Sequence, residues 1–355
     1  MSEITANLPG GNMFGKCLKL VAAMVVAGGL IGFANCAPVA ARQVAGAAEA
    51  KNCDRACLDG FVNQYLDALV AHDPSRLPVT KYVKYTENGQ HLELGDGFWR
   101  TATARGPYKL YIEDTQAGEV GFFGTMEEAG QPVILALRLR ISEHKISEIE
   151  SIVARGDMAV NGAKNLNKLG KPDPIYMQDT PKSERVSRLD LINTANKYFS
   201  GMQMDNGKGD YSFLGNDCNR LENGMQTTNS KTARPARPGS YSAAWGCKEQ
   251  FASGLLHFVS RIRDRRYLVV DTERGDVLAF GFFDHEAGNT RTFQTPDGKT
   301  VTAGPVTPWT WEIAELFKVQ GGQIHRIQAV LTQAPYGMGS GWSSWQDSMS
   351  DIPQW

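Results

Sequence analysis

The chain has 355 residues, with 37 basic against 38 acidic side chains, so its formal net charge is −1. That balance, with 21% charged and 42% hydrophobic residues, argues against a strongly basic nucleic-acid binder, an anionic-membrane binder and a disordered chain. The length without a leader points to two domains.

From the N-terminus, Lys16 and Lys19 precede an apolar run from Leu20 to Phe33, and the small-residue stretch APVAA follows. This is the pattern of a signal peptide over residues 1–41, with an apolar run shorter than the ~20 residues a spanning helix needs. Cleavage after Ala37 or Ala41 fits. The alternative is a lipid anchor on Cys36, for which Phe33-Ala34-Asn35 makes a poor lipobox. The chain is therefore expected to be periplasmic or secreted, with membrane contact only through the leader.

Beyond the leader lie Cys53, Cys57, Cys218 and Cys247. An even count in an exported chain suggests disulfides. Four cysteines allow three connectivities, and 53–57 with 218–247 is preferred because each pair stays within one domain. No cysteine pair has two-residue spacing and the six histidines are scattered, so no metal site is expected.

The most informative pattern is internal. LDGFVNQYLDAL (58–69) faces LDLINTANKYFSGM (189–202), and Glu87-Asn88-Gly89 faces Glu222-Asn223-Gly224. Asp114 to Val120 (DTQAGEV) lines up with Asp271 to Val277 (DTERGDV), each running into a Gly/Phe strand. LRLRISEHKISEIESIV (137–153) faces ELFKVQGGQIHRIQAVL (315–331). These correspondences, all in one order, describe a tandem duplication. Each unit reads as an amphipathic helix, a strand ending in an Asn-Gly hairpin turn, a Gly-rich step with an aromatic (GDGFW; CKEQFASGLLHF), and three or four longer antiparallel strands. Turns at 142–145 and 320–323 join the last two strands. The Gly-, Pro-, Asn- and Lys-rich stretch 157–182 reads as a linker. The domains are then 52–156 and 183–335, and 336–355 is an aromatic C-terminal tail.

A leading helix, a strand ending in ENG, a Gly-x-Gly-aromatic step, a D-x-x-x-G-x-V hairpin and a final strand pair together resemble the nuclear-transport-factor-2-like superfamily. The likeness is nearest to its SnoaL-like branch and to a group of secreted fungal proteins. The resemblance implies an α+β fold of two cone-shaped domains, each a strongly curved antiparallel sheet wrapped around helices and enclosing an apolar pocket. It also implies that such domains pair, the first copy supplying a partner sheet for the second. Cofactor-free isomerases, dehydratases, cyclases and lyases occur in the family, as do proteins that only bind. No catalytic motif of the family matches residue for residue.

Strand parity gives an independent handle, because alternate residues share a face. Val133, Leu135, Leu137, Leu139 and Ile141 form an apolar face in the first copy. The matching face in the second is Trp311, Ile313, Glu315, Phe317 and Val319, so Glu315 stands where the first copy has Leu137. A buried carboxyl has a raised pKa and suits proton transfer near neutral pH; the structural alternative is an ion pair with Arg326. Glu315 is the expected acid/base, with His257 or Tyr267 as partner. Trp311 and Phe283 are expected as pocket walls, and Trp99 and Arg138 as ligand contacts in the first copy. Tyr267, Val269 and Asp271 share a face by the same parity. Asp114 and Asp271 read as turn caps, and Arg261, Arg263, Arg265 and Arg266 as a solvated face.

Longer loops in the second copy, including the insertion 284–308 and the loop TARPARPGSY, favour it as the active domain. The expected activity is cofactor-independent lyase, isomerase or dehydratase chemistry on a small hydroxylated aromatic or cyclic molecule. The alternative is a non-catalytic periplasmic binding protein. The expected partner is a small molecule and not nucleic acid, with self-association through the outer sheet faces. The leader pattern predicts that N-terminal sequencing of protein recovered from cells finds the chain starting between about residues 36 and 48; an intact Met1 start would reject export.

Overall fold

The computed structural model describes residues 53–232, 242–296 and 298–355. The expected leader and most of the loop TARPARPGSY lie outside them. The fold is mixed α+β, with two six-stranded sheets built to one plan.

The first repeat opens with α1 (Arg55–Val70), capped by Asp54, whose side chain accepts from the Cys57 amide. The Cys53–Cys57 disulfide ties the residue before the cap to the first helical turn, with Cα atoms 5.2 Å apart. Helical spacing buries Leu58, Phe61, Val62, Tyr65, Leu66 and Leu69, as the apolar period requires. Then come β1 (Val79–Glu87), β2 (Gln90–His91), β3 (Ala102–Asp114), β4 (Glu119–Glu128), β5 (Gln131–Ser142) and β6 (Lys145–Ala154). They lie in the order β2-β1-β6-β5-β4-β3. Only the β1–β6 pairing is parallel.

The stretch expected to be a linker begins as a 13-residue helix, α2 (Asp157–Leu169). Its buried face, Ala159, Gly162, Ala163 and Leu166, is made of small residues and so gives only a weak periodic signal. The second repeat supplies α3 (Arg188–Gln203), β7 (Leu214–Glu222), β8 (Met225–Gln226), α4 (Cys247–Ala252), β9 (Arg261–Asp271) and β10 (Asp276–His285). After an inserted hairpin, β11 (Arg291–Gln294) and β12 (Thr300–Ala303), come β13 (Trp309–Gln320) and β14 (Gln323–Ala334). Its sheet order, β8-β7-β14-β13-β10-β9, repeats the first strand for strand, again with one parallel pairing, β7–β14. Cys218 on β7 is bonded to Cys247 at the start of α4. A short helix, α5 (Trp345–Ser348), lies in the tail.

The turns behave alike in both repeats. Asn88 and Gly89 have φ of 47° and 69°, and Asn223 and Gly224 of 43° and 71°, the left-handed pair that a tight hairpin needs. Asn88 accepts from the Val153 amide and donates to the Val153 carbonyl; Asn223 does the same with Leu331. The ENG motif therefore fixes the parallel strand pairing and not a reaction.

The two sheets pack through their outer faces. Leu110, Ile112, Phe123, Ile134, Ala136 and Ile152 of the first share one core with Val269, Leu278, Phe280, Leu316 and Val330 of the second. The faces the sequence offers for self-association are thus buried on one another within the chain. Reciprocal ion pairs mark this junction. Arg188, the first residue of α3, donates to Asp114 at 2.6 Å, while Arg55, the first residue of α1, holds Asp271 in a two-pronged pair. Both aspartates also cap their own turns, from Gln116 and Ala117 and from Glu273 and Arg274.

The segment after each repeat packs on the ENG turn of the other. Gly162 of α2 meets the second turn so closely that a Cβ there would lie 1.6 Å from the Asn223 carbonyl oxygen. The tail reaches the first turn, where Gly89 faces Met338 and Gly339. Trp342 donates to the Thr86 hydroxyl at 2.8 Å and lies against Lys84 and Arg138. The tail also docks on β9, through Gln354 and Ser350.

Asp114→Ala is expected to lower stability by about 3 kcal/mol, because it strands the buried Val270 amide and removes the turn cap. Asp114→Asn retains a capping oxygen and should lose less; equal losses in chemical denaturation would show that the turn bonds are negligible.

Candidate functional site

Direct cross-strand partners share a face, so the register of the second sheet defines rows of side chains. One row runs Tyr267–Ala279–Glu315–Ala329–Glu222 across β9, β10, β13, β14 and β7. The same row in the first sheet is Tyr111–Phe122–Leu137–Ser151–Glu87. The two rows share the residue types at both ends and differ at three middle positions, Phe122 against Ala279, Leu137 against Glu315 and Ser151 against Ala329.

Glu315 is fully buried and its Oε2 has no hydrogen-bond partner. Burial raises its pKa well above the usual carboxylate range; the charge of Glu222 adds to this, and Arg220 opposes it. The nearby cation is Arg220 on β7, not Arg326. Arg326 pairs with Asp173 and Asp217 on the outside. Arg220 donates to the Tyr198 hydroxyl at 2.9 Å, to Gln250 at 2.6 Å and to Thr227 at 2.9 Å, and its Nε lies 3.1 Å from Glu222. Burial also lifts the Tyr198 phenol well above its ordinary range.

Above this polar group opens a cavity of about 240 Å³. Arg220, Glu222, Asn223 and Thr227 line its polar side. Phe283, Trp311, Ile313 and Leu331 form the sheet wall, Leu256, Phe258 and Val259 the wall from the turn after α4, and Met158, Met202 and Met225 also line it. Met158 comes from α2, so the segment following the first repeat helps to line the cavity of the second. Such methionines make adaptable walls.

Phe283 and Trp311 both line the cavity, opposite one another across β10 and β13. The other expected residues are placed differently. Glu315 does not line the cavity but lies beyond Ile313 on the same strand face. Tyr267 is buried in the same core and donates to Asn196. Its pKa is raised well above the ordinary value, chiefly by burial. A register shift in β9 then turns Val269 to the outer face, which breaks the simple parity of Tyr267, Val269 and Asp271.

His257 is buried with Nδ1 2.8 Å from the Gly254 carbonyl and Nε2 3.1 Å from the Ala303 carbonyl, so both nitrogens are held by backbone and neither meets Glu315. Trp99 packs inside the first core, edge-on to Tyr65. Arg138, one residue on from the inward Leu137, points to the opposite face. There it joins Glu119, Glu148 and Glu150 in a buried ion cluster under Trp342. The basic run is not a solvated face either. Arg263, Arg265 and Arg266 are buried, Arg263 pairing with Asp284 and Arg266 with Glu150.

Among the cavity residues that the sequence reading did not single out are His285 and Arg220. His285 follows Phe283 by two and so shares its face; the parity that selected Phe283 also reaches it. Arg220 precedes Glu222 by two on a strand of mixed polarity, where no comparable signal exists. Among the described residues no group of three or more His, Cys, Asp or Glu could hold a metal ion, and no helix is long and apolar enough to cross a membrane.

Residues 184–331, the second repeat, match a family described as a domain of unknown function (DUF8021). No curated protein matches the chain. Among solved structures, the chain is similar to a de novo designed protein with a curved β-sheet, at 15% identity and a TM-score of 0.26 over 41% of this chain and 88% of that one.

A raised pKa means that Glu315 keeps its proton in the native state while the unfolded chain releases it above about pH 4.5. Its contribution is thus fully present below that pH and is lost as pH rises toward the native pKa. Glu315→Leu, the residue of the first repeat, should remove this loss. Its stability relative to the parent should grow by up to about 1.4 kcal/mol per pH unit between pH 5 and 7. Parallel stability curves would show that Glu315 is ionised in the native protein.

Proposed function

We propose that the second repeat binds a small, partly apolar molecule in this cavity, and that the chain works outside the cytoplasm. The observation that carries the reading is a cavity with aromatic and aliphatic walls and one concentrated polar side at Arg220 and Glu222, the usual make-up of a small-molecule site. Two disulfides support the exported location. The resemblance to SnoaL-like domains, with each sheet curved as a cone about its leading helix, belongs to the same reading. It is supported by the helix-first order and by the shared sheet plan with one parallel pairing.

A second reading, cofactor-independent lyase, isomerase or dehydratase activity, is favoured by one observation. Glu315 and Glu222 both bear on Arg220, and burial raises the pKa of Glu315 well above the usual carboxylate range. Two carboxyls in different surroundings about one guanidinium make a division that acid–base chemistry uses. In this arrangement Glu222 lines the cavity and would meet the substrate, and Glu315 acts through the Arg220 cluster. Elimination or isomerisation of a hydroxylated ring compound is the chemistry such a pair suits.

Native mass spectrometry of the chain from residue 45 onward, against lignin-derived and polyketide-like compounds, should yield ligands. Their binding should be abolished by Leu331→Trp, which fills the cavity. If no compound binds in a Leu331→Trp-sensitive way, the binding reading fails. Turnover of any such ligand should fall about 10²–10⁴-fold in Glu222→Gln with binding retained; bound ligands that are never converted would leave a binding protein.

A further inference from the structure

Exposure marks the mouth of the cavity. Of the residues that line it, Met158 and Met225 are 49% and 39% exposed, and every other is buried or half-buried. The opening to solvent therefore lies between α2, which carries Met158, and β8, which begins with Met225. The backbones at this seam are fixed. Gly162 of α2 packs on the Asn223 carbonyl, and a Cβ on Gly224 would lie 2.3 Å from the Gly162 carbonyl oxygen. Helix and hairpin are thus held together at one point, and side chains set how wide the opening beside it is.

A side-chain hydrogen bond crosses the seam. Asn165 of α2 donates from Nδ2 to Sδ of Met225 at 3.1 Å. A thioether sulfur is a weak acceptor, so this bond holds the mouth only loosely. The sulfur is also the atom that oxidants attack, and the product is a polar sulfoxide. Met225 is open to solvent, whereas Met202, which lines the same cavity, is buried and so protected. Met225 also stands opposite Glu222 across the hairpin, next to the polar side of the cavity.

We propose that Met225 is a peroxide-sensitive gate: oxidation to the sulfoxide strengthens the bond from Asn165 and closes the cavity mouth. In this step the Sδ lone pair attacks one oxygen of hydrogen peroxide and the O–O bond breaks. The sulfur keeps that oxygen and is oxidised by two electrons. The other oxygen takes up the displaced proton and leaves as water. The new sulfoxide oxygen is a strong acceptor beside a donor that already faces the sulfur. The gate presupposes the binding reading above and adds control of access to that cavity.

The test follows 1-aminoanthracene, an apolar dye that brightens on leaving water, by stopped flow as it enters the reduced and the peroxide-treated chain. Only the signal lost in Leu331→Trp counts as entry. Peptide mass spectrometry should find Met158 and Met225 oxidised well before Met202. A gate slows entry and exit together, so both rate constants should fall about tenfold on oxidation with Kd nearly unchanged. Met225→Leu, which cannot form the sulfoxide, should behave alike before and after peroxide. So should Asn165→Ala, which lacks the donor, whereas Met158→Leu should still be slowed. Methionine sulfoxide reductase should restore the parent's rates. The gate is overturned if oxidised Met225 leaves the rates unchanged, if slowing survives in Met225→Leu or Asn165→Ala, or if the dye does not enter the reduced chain. A weaker Kd with unchanged entry also overturns it, because oxidation then only makes the wall more polar. Library ligands that remain sensitive to Leu331→Trp while any of these occurs would leave the binding reading standing and remove the gate alone.

Discussion

The structure depends on the burial of two outer sheet faces against each other. A sheet covered by a helix on one side still exposes its other face. Leu110, Ile112 and Phe123 on one side, and Leu278, Phe280 and Leu316 on the other, would form a large apolar patch on a separated repeat. Packing the two repeats removes both patches at once. It also sets the polar geometry: Asp114 and Asp271 reach the first residue of the opposite repeat's helix, so the junction has an orientation as well as an area. The ion cluster of Arg138, Glu150 and Arg266 crosses the same junction. Its charges are tolerable there because each is paired.

Junction and cavity are linked through α2 and the tail. Each follows a repeat and lies on the other repeat's ENG turn. The two have different residues and different consequences. α2 fits by Gly162, which lets its backbone touch the Asn223 carbonyl, and it places Met158 at the cavity. The tail binds the first turn through Trp342 and adds backbone hydrogen bonds to β9. A near-symmetric pair of domains thereby acquires two unlike ends.

Much of the fold was legible because duplication doubles every signal. The ENG turns, the capping aspartates and the strand order recur, and a feature present twice is seldom accidental. The apolar face from Val133 to Ile141 and its counterpart from Trp311 to Val319 pack inward as alternation predicts. Parity also placed Phe283 and Trp311. It failed where the backbone departs from regular alternation, at the β9 register shift that separates Tyr267 from Val269. Partners were the other weakness. Arg326 is near Glu315 in sequence, but pairing follows the sheet register, which brings Arg220 from over ninety residues away. The basic run was read from composition, which cannot show that Asp284 and Glu150 await it.

The middle of the row is where the two copies part. In the first, Phe122 and Leu137 fill the space between Tyr111 and Glu87, and Glu87 is used up by structure. It accepts from Tyr85, from the Phe98 amide and from Arg155. In the second, Glu222 lies 3.1 Å from Arg220. Its cation, Arg220, lies two residues back on its own strand, and alternation puts both on the inward face. Two alanines flank Glu315, leaving its carboxyl among small neighbours. Burial in such a row raises the pKa of the carboxyl and favours its neutral form. Two smaller side chains and one acid distinguish this row from the packed row of the first copy.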